Sequence, residues 1–229
     1  HIRNGFVLYA GVDYEKILKQ AEKEADIVIW DGGNNDTSFF KPNILFTVAD
    51  ALRSGHEKKF YPGEINFRIA DAIIINKEDS AKKKDIQIIV NNAKEMNPGA
   101  TVIHADSVIT LKNGSKIKDR KVLVVEDGPT LTHGGMSFGA GYKAAKRHGP
   151  RIINAKKYAV GSIKKTFERY SHLDGRILPA MGYSKKQVKE LEETINKAKP
   201  DVIVAGTPID LKLVIKTKIP ILQAKYALK

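Results

Sequence analysis

Val122-Leu123-Val124-Val125-Glu126-Asp127-Gly128-Pro129-Thr130-Leu131-Thr132-His133-Gly134-Gly135-Met136-Ser137-Phe138-Gly139-Ala140-Gly141-Tyr142 runs from four consecutive apolar residues through two acids into a segment with five glycines. An uninterrupted apolar run of this kind belongs to a strand buried on both faces, which is the condition of a parallel sheet covered by helices. Ligands of such sheets bind beyond the carboxyl ends of the strands, where this run turns polar. The segment is expected to lead into a helix whose N-terminus faces an anion. The hydroxyls of Thr130 and Thr132, the amides of Gly128, Gly134 and Gly135, and the His133 imidazole are the groups that would surround a phosphate or carboxylate there. Asp127 is suited to hold a metal or to orient His133, and His133 or Asp127 to handle a proton. A glycine-rich connector that merely bends is the alternative.

The same strand-like runs recur on both sides of this stretch. Strands are expected at Phe6–Ala10, Asp26–Trp30, Ile44–Ala49, Ala72–Ile75, Thr101–His104, Lys121–Val125, Arg151–Asn154, Asp201–Ala205 and Ile219–Gln223. Helices are expected at Asp13–Glu24, with Asp13 as cap, at Ser80–Met96, and at Ser184–Lys199, where Ser184 and Gln187 have the spacing of a capping box. In the last, Val188, Leu191, Ile195 and Ala198 share one face, so that helix packs on the sheet. Strands alternating with helices predict an α/β fold, a mostly parallel sheet with helices on both faces, in a single domain over residues 1–229.

Four further strand ends are polar. Trp30-Asp31-Gly32-Gly33-Asn34-Asn35-Asp36 follows the apolar Ile27–Ile29; an acid there can hold a magnesium-bound water, and the Gly32 and Gly33 amides can face a terminal phosphate. The same residues also make a good plain turn. Asn76-Lys77-Glu78-Asp79 has the form Asn-Lys-x-Asp, in which the Asp accepts bonds from the guanine N1–H and 2-amino groups, the Asn braces the loop and the Lys stem covers the base. Asp50 to Glu57 offers Arg53 as a bidentate phosphate clamp, and His56 with Glu57 as a proton relay, or is an ordinary charged loop. Thr207 and Asp210 either approach the base or cap the next helix.

The chain carries 39 Lys+Arg against 26 Asp+Glu, a formal charge of +13, and no cysteine. Disulfides, thiolate nucleophiles and cysteine-bound zinc are thereby excluded, and a reducing cytoplasm is the expected setting. The positive excess suits nucleotides or phosphorylated metabolites. Nucleic acid is not the expected partner, because the lysines are scattered and no basic stretch is interleaved with aromatics. No apolar run reaches the roughly 18 residues needed to span a bilayer. An isoleucine-rich core under a lysine-coated surface suggests adaptation to high temperature.

Taken together, Tyr9–Tyr14, Trp30–Asp36, Arg53–Glu57, Tyr61–Glu64, Asn76–Asp79, Glu126–Gly135 and Gly206–Asp210 resemble an archaeal family that contains cyclic 2,3-diphosphoglycerate synthetases and predicted GTPases. The resemblance implies a P-loop NTPase fold of the signal-recognition and Min-type class, a preceding Rossmann-like domain, and ATP-driven closure of a phosphoanhydride ring. No Gly-x4-Gly-Lys-Ser/Thr occurs in the chain, so it reads as the back portion of such an enzyme, its partner being the family's front region. On this reading Asp31 assists Mg2+ and the γ-phosphate, while Asn76, Lys77 and Asp79 with Gly32 and Gly33 bind ATP or GTP. Arg53, His56, Glu57 and the Gly128–Gly135 loop hold a small phosphorylated acid. The rival reading is a regulatory GTPase or a non-catalytic binding module. The sequence leaves homo-oligomer formation open.

Overall fold

The computed structural model describes residues 2, 5–33, 36–132 and 135–229. They fall into two compact units, His1–Asp106 and Ser107–Lys229, both of α/β type.

The first unit contains α1 (Tyr14–Glu24), β1 (Phe46–Asp50), α2 (His56–Lys59), α3 (Gly63–Ile69), β2 (Ala72–Asn76), α4 (Lys83–Met96) and β3 (Thr101–His104). Asp13 caps α1 as expected, its carboxylate accepting the Lys16 N–H at 3.2 Å. The three strands form a parallel sheet in the order β1-β2-β3. Alternation along the strands turns Ala49, Ile73 and Ile75 inward, where they meet Phe67 of α3 and Ile89 and Ala93 of α4. Phe46 and Val48 point the other way and are 55% and 51% exposed.

Two expected strands are absent. Phe6–Ala10 and Asp26–Trp30 run as irregular chain, with Val7 68% and Ile27 79% exposed. An apolar run becomes a strand only when a neighbour takes up its backbone N–H and C=O groups. Among the described residues none pairs with either run.

The second unit contains β4 (Ser107–Leu111), β5 (Lys121–Asp127), α5 (Gly128–Thr132), α6 (Ala140–Lys146), β6 (Arg151–Ile152), α7 (Gly161–Arg169), β7 (Leu178–Ala180), α8 (Lys185–Ala198), β8 (Val202–Ala205) and β9 (Ile221–Leu228). Its sheet has the order β4-β9-β8-β5-β6, and β7 pairs with the carboxyl half of β5. All pairings are parallel except β4 with β9. Val122 to Val125 are fully buried in succession, as a strand covered on both faces must be. Ile163 and Phe167 of α7 and Leu191 and Ile195 of α8 join the main core, whereas Ala144 of α6 packs with Ile109 and Ala224. Ile221 of β9 belongs to the first cluster and Ala224 to the second, and their odd separation puts them on opposite faces of the strand. The Ser184 capping box forms, and α8 ends at Lys199 in the left-handed region.

Candidate functional site

In the first unit the carboxyl ends of β1 and β2 bring together Asp50, Arg53, Asn76 and Lys77, with Asp50 and Asn76 paired in register. Asp50 accepts the Leu52 N–H at 3.0 Å and the Lys77 ammonium at 2.5 Å. The Asn76 side chain accepts the Lys77 N–H at 2.7 Å, and Lys77 takes a left-handed φ of 66°. The Lys77 ammonium is tied to Asp50. Arg53 Nε lies 3.7 Å from Asp50, buried and without a hydrogen-bond partner among the described residues. An unsatisfied guanidinium nitrogen is costly and suits an incoming acceptor oxygen. Asp79 accepts the Ser80 hydroxyl at 2.8 Å.

His56 and Glu57, expected as a relay, each have other partners. Glu57 accepts the Gly55 N–H at 2.9 Å and the Asn92 amide at 2.5 Å, while the His56 ring packs 4.6 Å from that of Phe60. Asp31, Gly32 and Gly33 sit on exposed irregular chain and not at a strand end. A Cβ on Gly32 would fall 2.1 Å from the Trp30 ring, so the indole packs against this glycine. Gly33 donates its N–H to Asp36 at 3.0 Å. Asn34 and Asn35 lie outside the described residues. Among the described residues no three His, Cys, Asp or Glu side chains gather to hold a metal.

In the second unit β5 delivers Glu126 and Asp127 to its carboxyl end. Glu126 is 2% exposed and accepts the Tyr142 N–H at 2.7 Å, with further bonds from the Gly139 and Gly141 amides. The amides at the start of α6 thus meet the protein's own Glu126 carboxyl. A Cβ on Gly139 or Gly206 would come within 2.4 or 2.0 Å of Glu126 Oε2, which is why glycine stands at both positions. Burial lifts the Glu126 pKa from 4.5 to about 7 against those N–H bonds, with the Asp127 charge adding to the rise.

Of the expected Gly128–Gly135 loop, residues 128–132 and 135 are described. Gly128 to Thr132 coil into α5, and the Thr132 hydroxyl turns back to the Gly128 carbonyl at 3.1 Å. A Cβ on Gly128 would meet the Ala180 carbonyl at 2.6 Å, so its lack of a side chain serves packing. Gly135 has a φ of +62° with open space beside it. His133 and Gly134 lie outside the described residues. Thr130 donates to Asp127 at 3.2 Å.

Tyr183, just beyond β7, completes this strand end. Its hydroxyl is 3.0 Å from that of Thr207, whose carbonyl accepts the Gln223 amide at 2.6 Å. Burial and the Asp127 charge raise the Tyr183 pKa, outweighing the Thr207 hydrogen bond, so the phenol stays protonated. Tyr183 and Gln223 escaped the sequence reading, as did Glu126 as a site residue. The signal for Tyr183 was the short run Leu178-Pro179-Ala180, in which proline disguises a strand. Asp210 caps a short turn through the Lys212 N–H at 3.2 Å, the structural role weighed for it.

No family model matches the chain. It is 57% identical over 230 residues to the arginine synthetase ArcE of Thermococcus kodakarensis, an alignment covering 100% of this chain and 51% of that protein. It is 32% identical over 115 residues to the cyclic 2,3-diphosphoglycerate synthetase of Thermococcus sibiricus, covering 50% of this chain and 26% of that protein. The chain is therefore related to synthetases and spans about half, or less, of the length of these curated relatives.

Proposed function

We propose that the chain forms part of a nucleotide-driven synthetase whose small-molecule site lies at the carboxyl end of β5 and takes an amino acid bearing a guanidinium group. The identity of 57% along the whole chain to a protein named arginine synthetase carries this reading. The chemistry of the site supports it. The Asp127 carboxylate accepts the Thr130 hydroxyl and its charge is felt by the Tyr183 phenol, an acceptor-rich arrangement that suits a cation better than a phosphate. A carboxylate meets a guanidinium through paired, charge-assisted hydrogen bonds.

The nucleotide, ATP or GTP, is assigned to the strand-end cluster of the first unit. Arg53 Nε offers a donor there, and Asn76 holds the turn that carries Lys77 and Asp79. Mg2+ would be held chiefly by phosphate oxygens and water, the usual arrangement for this ion. The exposed apolar face at Phe46 and Val48, with the unpaired runs at 6–10 and 26–30, supports a further polypeptide region completing that unit's sheet.

The test compares melting of the protein with L-arginine, with 2,3-diphosphoglycerate and with sulfate at matched ionic strength. Arginine at about 100 times its Kd should stabilise the fold by about 2.7 kcal/mol. Asp127→Asn should weaken arginine binding roughly tenfold or more, the loss of one charge-assisted contact. An arginine shift that persists unchanged in Asp127→Asn overturns the site. A larger shift with 2,3-diphosphoglycerate than with arginine turns the reading to a phosphorylated acid.

A further inference from the structure

The second unit has a cleft of about 350 Å3 lined by Phe138, Tyr142, Lys143, Lys146, Arg147 and Arg176. We propose that it binds an oligophosphate, a ligand with two or more linked phosphoryl groups, at a site separate from the Asp127 cluster. Helix α6 supplies Tyr142, Lys143 and Lys146, Arg147 follows it, and Arg176 arrives from the loop before β7. The lining residues thus include four cations and no carboxylate. The acid nearest to them in sequence, Asp174, pairs with Arg176.

Three of the four cations have contacts within the protein before any ligand arrives. The Arg176 guanidinium lies 5.3 Å from the centre of the Tyr142 ring and donates to its hydroxyl at 3.2 Å. Arg147 donates to the Ile109 carbonyl at 2.9 Å. The Lys143 ammonium lies over the Phe138 ring at 6.0 Å, and that ring is 6.0 Å from Tyr142. Preorganised cations lose less freedom on binding than free surface lysines. One phosphoryl group carries about 1.5 to 2 negative charges near neutral pH, so four cations, with Arg176 shared with Asp174, match two groups better than one. The volume falls in the range of small-molecule pockets, roughly 300–1,000 Å3. A nucleic-acid strand would instead need an extended groove with aromatics spaced along it.

Calorimetric titration of the protein with pyrophosphate and with sulfate, at about 0.15 M ionic strength, tests the site. Pyrophosphate should bind about tenfold tighter than sulfate or better. The double variant Lys146→Ala with Arg176→Ala should lose about tenfold or more in pyrophosphate affinity. Lys84→Ala with Lys189→Ala, which removes the same charge from exposed positions elsewhere, should lose less than about twofold. Lys146→Gln alone, a substitution at an exposed side chain, should show part of the loss and melt with the parent. Equal losses in the two double variants would reduce the cleft to diffuse surface charge. A loss confined to Arg53→Ala would assign the anion to the first unit, leaving the synthetase reading intact and overturning this one. ATP binding tighter than pyrophosphate, and weakened in Phe138→Ala, identifies a nucleotide tail as the ligand; equal binding identifies a free oligophosphate. Either result upholds the site.

Discussion

Glu126 shows how a single buried carboxyl can be both structural and titratable. Three backbone N–H groups favour its charged form, yet burial outweighs them and sets its pKa near 7 against an ordinary 4.5. Below pH 4.5 the group is protonated in the folded and unfolded chain alike, and its contribution to stability is complete. Between 4.5 and about 7 the unfolded chain releases the proton while the folded chain keeps it, so stability falls as pH rises through that window. Above it no further change is due to this group. At about 1.4 kcal/mol per pH unit the total is about 3 kcal/mol. Denaturant melts of the parent and of Glu126→Gln across this range should therefore diverge, the parent losing more stability than the variant. Parallel profiles would show that Glu126 titrates as an ordinary carboxyl. The sequence displayed both acids of this strand end, but it gave Asp127 the leading part. Nothing local announces that Glu126 turns inward: that depends on Gly139, Gly141 and Gly206 arriving from other elements to leave it room.

The elements that reasoning from sequence located best are those whose signals are local. Helix α8 carries its own start signal, and the expected Ser184–Lys199 became Lys185–Ala198 with the box formed. Since Ser184 Oγ accepts the Gln187 N–H at 3.3 Å, Ser184→Ala should cost about 1 kcal/mol. Thermal or denaturant unfolding measures this directly, and no change would mean that the cap is replaced by water without loss. Strands β2 and β5 were also legible, because a continuous, largely buried apolar run has few other uses. The failures share a cause. Phe6–Ala10 and Asp26–Trp30 have the composition of interior strands, but a strand exists only through its neighbours. Strand β4 was missed for the converse reason: Ser107-Val108-Ile109-Thr110-Leu111 is an ordinary half-polar run, made a strand by antiparallel pairing with Ala224–Leu228. The basic cleft was invisible for a similar reason, since Arg176 lies far along the chain from Tyr142.

The two units differ in how completely each buries its apolar residues. Among the described residues no helix is long and apolar enough to cross a membrane. In the first unit Phe6, Val7, Leu8, Ile27, Ile29, Phe46 and Val48 are all more than half exposed. In the second, Ser107–Lys229, strands β4 to β9 form one sheet and the core from Ile117 to Ile221 lies wholly within the unit. Roughly 120 residues is a common size for an independent domain. We therefore expect residues 107–229, expressed alone, to fold, to unfold in one cooperative transition, and to keep the pyrophosphate affinity of the whole chain within about twofold. Residues 1–106 alone should self-associate through their open apolar face, visible as concentration-dependent elution in gel filtration. The separation matters for function, because it lets anion binding at the cleft be measured without the Asn76–Asp79 turn present. A broad, non-cooperative melt of 107–229, or loss of its pyrophosphate binding, would show that the second unit draws its order from the first.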